Sequence, residues 1–160
     1  MRFRHQLTYA ASLPEVRAML ADATFREEVC EHQRALGHRV SITGSGAGMR
    51  VEVDQTLAVH GVPSFAKKFV GDQIEMRQRE SWSTADRAEL EITVPGKPAS
   101  LTSTVTLTED GSGGTIETVE GEIKVSIPFV GGKLESLVGD MFASGLDAEA
   151  EVGARWLAGG

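Results

Sequence analysis

The stretch KVSIPFVGGKLESLVGD, Lys124 to Asp140, marks the point at which the chain changes from strands to a long helix. Pro128 cannot donate a backbone hydrogen bond to a β-ladder, so it ends the strand before it. Gly131 and Gly132 let the backbone swing into the next segment, where apolar residues recur at helical spacing. That spacing predicts a helix of about 40 Å that runs almost to the last residue. Its apolar stripe is predicted to comprise Leu134, Leu137, Val138, Met141, Gly145, Ala148, Val152 and Trp156.

The chain before this helix is predicted to begin with a strand over Arg2 to Ala10, where apolar and polar residues alternate. SLPE then starts a helix, because Ser12 can cap it and Glu15 completes a capping-box spacing. FREEVCEHQRAL predicts a second helix that ends near Gly37. Six strands are predicted next, in HRVSITGSG, GMRVEVDQTLAVHG, DQIEMRQRESW, AELEITV, ASLTSTVTL and TIETVEGEIKVSI, and VPSFAKKFVG between the second and third is a short helix or a turn.

This order of elements, β-α-α-β6-α, predicts an α+β fold. Strands joined by short turns must pair antiparallel. One face of such a sheet is apolar and has to be covered, and the terminal helix is the only element long enough to cover it. We therefore expect a curved antiparallel sheet wrapped around the C-terminal helix. No repeat or low-complexity linker divides the sequence, so we expect one domain over residues 1–160.

Three segments carry a resemblance to a known superfamily. They are LTYAASLPEVRAMLADATFREEV, the run of alternating strands, and IPFVGGKLESLVGDMFASGLDAEAEVGARWL. Together they resemble the START-like or Bet v 1-like superfamily, which includes polyketide cyclases, and more narrowly an uncharacterised actinobacterial family. The resemblance implies the helix-grip fold, with a hydrophobic ligand held between sheet and terminal helix. The many Gly and Ala residues of that helix fit either close packing or such a cavity.

Composition restricts the class of partner. The chain has 160 residues, 41% of them hydrophobic and 24% charged, with a formal net charge of −7. An acidic surface repels phosphate groups, which disfavours nucleic acid and anionic membranes as partners. The N-terminal residues do not resemble a signal peptide, and no apolar run is long enough to span a membrane. We expect a cytoplasmic protein that is a monomer or a weak homodimer.

Two short motifs are interpreted as structural. CEHQ, with Cys30 and His32, places its potential ligands on different faces of a helix, and Cys30 is the only cysteine, so no metal site is predicted. GSGAGM lacks the G-x-G-x-x-G spacing and is flanked by strands, so it predicts a hairpin turn and not a dinucleotide loop. No cofactor is expected.

Several polar residues share the parity of the apolar strand residues and are therefore candidates for facing a ligand. Buried polar groups need partners, so these residues form either an internal network or a ligand anchor. Glu80 is the principal candidate, because a carboxyl in an apolar cavity has a raised pKa and can act as an acid or base. The predicted ligand-binding residues are Glu80, Gln78, Gln55, His5, Tyr9, Met76, Trp82, Ser103, Met141 and Phe129.

Three functions are compatible with this pattern. The first is noncovalent binding of a small hydrophobic or lipid-like molecule, with Glu80 and Gln78 orienting it. The second is a cyclase, aromatase or hydrolase-like enzyme that uses Glu80 with His5 or Tyr9 as acid–base partners. The third is an interaction module whose core is filled by its own side chains. One scaffold can host many functions, so the fold alone does not choose among them.

Overall fold

A seven-stranded antiparallel sheet forms the body of the molecule, which is described here by a computed structural model covering residues 1–159. The spatial order is β1-β7-β6-β5-β4-β3-β2, so the first two strands of the chain form the two edges of the sheet. The strands are β1 (Arg2–Tyr9), β2 (Gly37–Thr43), β3 (Arg50–Ala58), β4 (Gln73–Thr84), β5 (Arg87–Thr93), β6 (Ala99–Glu109) and β7 (Thr115–Val125). The helices are α1 (Leu13–Leu20), α2 (Ala23–His32), α3 (Ser64–Val70) and α4 (Gly131–Leu157).

The predicted α+β helix-grip fold is confirmed, including the long terminal helix. The segment VPSFAKKFVG contains the short helix α3, and GSGAGM is the turn between β2 and β3. Ser12 caps α1 as predicted, since its hydroxyl accepts from the backbone N–H of Glu15 and donates to the Glu15 carboxylate at 3.1 Å, in place of the backbone bond of a full capping box. No helix within residues 1–159 is long and apolar enough to cross a membrane.

Helix α2 is shorter than the sequence predicts. It ends at His32 and not near Gly37, because Arg34 adopts a left-handed backbone conformation with φ of 58°. The backbone N–H of Leu36 then donates to the carbonyl of Thr56 at 2.8 Å. The chain has thus already joined the sheet at a point where the apolar pattern still suggested a helix.

The main core lies between the inner face of the sheet and helices α1, α2 and α4. The alternation predicted for the strands is confirmed there, with Val51 and Val53 of β3 and Leu101 and Val105 of β6 all buried. A second, smaller cluster is centred on Ala66 and packs α3 against the start of α4 and the end of β7. The core thus consists of two clusters, a large one packed by α1, α2 and α4 and a small one packed by α3 and the start of α4.

Small residues of α4 serve both close packing and open space. A Cβ atom at Gly153 would lie 2.6 Å from a ring carbon of Tyr9, so this glycine allows α4 to approach β1. Gly145 lines a cavity, although a Cβ atom at this position would lie 3.0 Å from Nε2 of Gln33. The two uses expected for small residues therefore occur on the same helix, at different positions.

Candidate functional site

A cavity of about 360 Å³ lies between the inner face of the sheet and helices α2, α3 and α4. Most of the side chains that line it are aliphatic, aromatic or methionine, contributed chiefly by β3, β4 and α4. It reaches the surface between α3 and the turn joining β5 to β6, where the lining residues Lys68, Lys97 and Pro98 are exposed. The side chains of residues 1–159 leave this volume unfilled, which is rare in a close-packed interior unless something else occupies it.

Five polar side chains line the cavity away from this opening, and we call them the polar end. They are Arg26 and Gln33 near the two ends of α2, Gln55 of β3, Gln78 of β4 and Glu149 of α4. A smaller cavity of about 30 Å³ adjoins it and is lined by Arg26, Gln78 and Glu149 together with Glu80 and Glu117. An apolar volume with a few polar groups grouped on one side is the usual form of a small-molecule site.

The Arg26–Glu80 ion pair is fully enclosed by the protein. The guanidinium Nη1 and Nη2 donate to Oε2 and Oε1 of Glu80 at 2.7 and 3.0 Å, and Nε donates to the carbonyl of Leu20. Gln78 Nε2 and Trp82 Nε1 also donate to the Glu80 carboxylate, at 2.6 and 3.0 Å. Burial acts to lower the pKa of Arg26, but the negative charges of Glu80 and Glu149 outweigh it and raise that pKa. Glu80 therefore has its acceptor positions occupied within the protein.

Two further carboxyl groups lie beside this ion pair. Burial raises the pKa of Glu117 well above the usual value, and the neighbouring Glu149 raises it further. Burial also raises the pKa of Glu149, to about 7, although Arg26 and a hydrogen bond from Glu117 partly oppose this. The Tyr9 hydroxyl approaches Oε2 of Glu117 at 3.5 Å, and burial raises the pKa of Tyr9 above its ordinary value.

These groups can exchange protons near neutral pH. One arginine faces three carboxyl groups, and Glu80 already pairs with that arginine. Like charges held together cannot all ionise, so burial and the nearby Glu80 raise the pKa of Glu149 to about 7. A group with this pKa can accept or donate a proton to a molecule in the cavity. Within residues 1–159 no three His, Cys, Asp or Glu side chains are arranged to hold a metal ion.

Four of the ten predicted ligand-binding residues line the main cavity: Gln55, Met76, Gln78 and Met141. Glu80 lines the small adjoining cavity. The strand parity on which these predictions rest is confirmed, since Glu80 and Trp82 are buried and Gln78 is half-buried on the inner face of β4. The predicted role of these residues in ligand binding stays a prediction.

The other five predicted residues do not line either cavity. His5 is partly exposed and its Nε2 lies 2.8 Å from Oδ1 of Asp147, while Tyr9 reaches Glu117 and not Glu80. Trp82 and Ser103 are buried in the core. Phe129 is fully exposed, on a left-handed backbone with φ of 69°, and does not line the cavity.

Sequence reasoning missed Arg26, Glu117 and Glu149. Glu117 lies between Thr115 and Val119, which are both buried, so its parity with Val119 indicated an inward position. Glu149 is not part of the apolar stripe predicted for α4, although it lies three residues after Leu146 and three before Val152, both buried. The signal was present in the spacing, but a charged residue is rarely buried and was therefore placed outside.

The fold and site define the class of protein. A START superfamily protein from Mycobacterium smegmatis has the same architecture, with a TM-score of 0.62 at 13% identity, covering 98% of both chains. The Zhui aromatase/cyclase from Streptomyces sp. R1128 gives a TM-score of 0.67 at 11% identity, covering 99% of this chain and 93% of that one. At such low identities the comparison shows the fold, which is that of the START-like superfamily.

Within this class, the chain belongs to the family described as "Protein of unknown function (DUF2505)", which matches residues 4–157. An uncharacterised protein of Mycobacterium tuberculosis is 26% identical over an alignment of 120 residues, which covers 72% of this chain and 69% of that protein. The resemblance seen in the sequence, to the superfamily and to an uncharacterised actinobacterial family, is confirmed.

Proposed function

We propose that this protein binds a small hydrophobic or lipid-like molecule, without covalent chemistry, in the cavity between the sheet and α4. The observation that supports this most directly is the largely apolar volume of about 360 Å³, with the five residues of the polar end in its lining away from the opening. Removing apolar surface from water contributes roughly 25 cal/mol per Å² and supplies the affinity. The polar end orients the molecule. A self-filled interaction module is disfavoured, because its core would leave no such volume.

Native mass spectrometry of gently purified protein tests this proposal. Extra mass that disappears on denaturation identifies a noncovalent ligand, which can then be extracted and characterised. Met141→Trp fills part of the cavity and should abolish the extra mass, because Met141 lines it. Ser144→Trp makes a larger side chain at an exposed position of the same helix and serves as the matched control. If both variants carry the ligand as the wild type does, the ligand does not occupy this cavity.

A second candidate function is acid–base catalysis on the bound molecule. It is favoured by Glu149, whose pKa of about 7 and unpartnered Oε1 combine in one residue of the cavity lining. The similar Streptomyces structure is named an aromatase/cyclase, which is the type of chemistry that a proton-transferring carboxyl can assist. In this proposal Glu149 takes the role that the sequence suggested for Glu80, because Glu80 is fully engaged with Arg26.

A generic proton-abstraction probe tests the catalytic candidate. The small apolar 5-nitrobenzisoxazole opens its ring when a base removes its carbon-bound proton, and the product absorbs visible light. The rate should increase with pH and level off above about 7, as Glu149 ionises. Glu149→Gln should reduce it to the background, and Asp140→Asn, at an exposed position of α4, should not change it. A rate that is the same in wild type and Glu149→Gln would exclude Glu149 as the base.

A further inference from the structure

Three residues of the cavity lining carry a side-chain oxygen that is shielded from solvent and has no hydrogen-bond partner. These oxygens are Oε1 of Gln33 at the end of α2, Oε1 of Gln55 on β3 and Oε1 of Glu149 on α4. The one further such atom among residues 1–159 is Ser103 Oγ, which does not line the cavity. A buried polar atom without a partner is costly, so three of them around one unfilled volume indicate a missing partner in that volume.

A ligand group that satisfies these three oxygens must donate hydrogen bonds. Gln33 Nε2 donates to the carbonyl of Gly145 at 3.2 Å, which leaves Oε1 of the same amide as an acceptor. The Glu149 carboxyl lies beside that of Glu117, and its Oε1 accepts no hydrogen bond from an N–H or hydroxyl group of the protein. All three vacant atoms are oxygens, and an ionised carboxylate and an amide oxygen only accept. A ligand head with acceptors alone, such as a ketone or an ether, would leave them unsatisfied.

The charges at the polar end disfavour an anionic head. Arg26 is the one cation among the five polar-end residues, and both terminal nitrogens of its guanidinium bind Glu80. A ligand carboxylate at the polar end would bring a fourth carboxyl to the site of Glu80, Glu117 and Glu149, and the lysines of the lining, Lys68 and Lys97, lie at the opening instead. An ionised Glu149, in contrast, has no cationic partner of its own. A cation is the complementary group.

We propose that the polar end binds a protonated primary amine carried by an otherwise apolar ligand. This inference rests on the proposed binding function. An ammonium group has three N–H donors and no acceptor, so it suits three vacant oxygen acceptors. Its positive charge compensates the carboxylate of Glu149. The apolar body of such a ligand fills the remaining cavity, between β3, β4 and α4.

The affinity for such an amine depends on pH through the groups that face Glu149. These are Arg26 of α2, Glu80 of β4, Glu117 of β7 and Tyr9 of β1. A simple alkylamine, like lysine, stays protonated up to about pH 10, so its own charge is constant below pH 9. Glu149 loses its proton around pH 7, and amine affinity should therefore increase between pH 5.5 and pH 8.

Isothermal titration calorimetry with octylamine, 1-octanol and octanoate tests the inference, since these probes share one chain and differ in the head group. At pH 8 octylamine should bind about tenfold or more tightly than octanol, because hydrogen bonds to charged groups contribute more than neutral ones. Octanoate should bind most weakly. At pH 5.5 the preference for the amine should become small. Glu149→Gln should remove the preference for octylamine over octanol at pH 8, and Asp140→Asn should keep that preference.

The outcomes separate the two proposals. If octanol or octanoate binds as tightly as octylamine at pH 8, the cavity binds apolar molecules but the inferred amine site is wrong. If the amine preference persists unchanged in Glu149→Gln, the amine is held elsewhere and the inference is overturned as well. If none of the three probes binds at either pH, the proposed binding function itself fails. Retained octanol binding in the variant shows that it is folded, so a lost preference reports on the head group alone.

Discussion

At the scale of single residues, the buried ion pair explains how charged groups can lie inside this core. Glu80 accepts four hydrogen bonds, from Arg26 twice, from Gln78 and from Trp82. Such a pair contributes little net stability when complete, because desolvation offsets the attraction between the charges. The pair affects stability strongly only when one member is removed, because the other member is then a buried charge without a partner.

Removing one partner of this pair should therefore destabilise the folded protein strongly. Arg26→Met leaves the Glu80 carboxyl buried and unpaired and is expected to lower the free energy of unfolding by about 3–5 kcal/mol. The double variant Arg26→Met with Glu80→Leu should recover most of that loss. Arg87→Met is the control, because Arg87 and Glu89 form an exposed pair at 3.9 Å whose loss should change stability by less than about 1 kcal/mol. Urea unfolding of the four proteins checks this, and an Arg26→Met variant as stable as Arg87→Met would contradict it.

Phe129 provides a second residue-scale prediction. Its side chain is exposed and its backbone is left-handed with φ of 69°, a conformation that is costly for residues with a Cβ atom. Phe129→Gly is expected to raise the free energy of unfolding by about 0.5–1 kcal/mol, because glycine adopts this conformation freely. Phe129→Ala keeps the strain and should give no comparable gain. Equal unfolding midpoints for the two variants would show that backbone strain is not the reason.

At the scale of elements, α4 combines tight contact and open space along one face. Gly153→Ala should destabilise the protein by about 1–3 kcal/mol, because the added Cβ meets the ring of Tyr9 at 2.6 Å and Met19 at 3.3 Å. Gly132→Ala, in the first turn of the same helix, meets nothing within 4 Å. It should stabilise by a few tenths of a kcal/mol through helix propensity. Thermal unfolding distinguishes the two, and a shift of the same sign for both would contradict the packing argument.

The elements also show what could be predicted from the sequence and what could not. Strand parity and turn residues are local properties, so β3, β4 and the GSGAGM hairpin follow directly from the pattern. The end of α2 was missed because it depends on Leu36 pairing with Thr56 of β3, a contact between distant residues. Glu149 was placed outside for a similar reason: what allows it to face inward is Glu117 and Arg26, on two other elements.

At the scale of the whole molecule, the two raised carboxyl pKa values link folding to pH. The pKa of Glu149 is about 7 in the folded protein and that of Glu117 is well above the usual value, whereas an unfolded glutamate titrates near about 4.3. Between those values the folded state binds more protons than the unfolded state. The stability that these two protonated carboxyl groups contribute is therefore fully present below their pKa in the unfolded state. It is lost as pH rises through their pKa in the folded state. This is the opposite of the usual behaviour of carboxylates, which stabilise the fold when they are ionised.

We expect the free energy of unfolding to fall by about 2 kcal/mol or more between pH 5.5 and pH 8, because Glu149 and Glu117 both hold in the folded protein a proton that they lose on unfolding. The lowered pKa values of Asp110, held by hydrogen bonds from Ser112 and Gly114, and of Glu135 act below this range and do not interfere. Glu149→Gln should be more stable than wild type at pH 8 and should show a flatter profile. Urea midpoints at pH 5.5, 6.5 and 8 measure the effect, with Glu122→Gln, exposed on β7, as the control. A free energy of unfolding that rises with pH in the wild type would contradict the raised pKa values of this carboxyl pair. The acid–base role and the amine site both depend on the raised pKa of Glu149, so both proposals would lose that support.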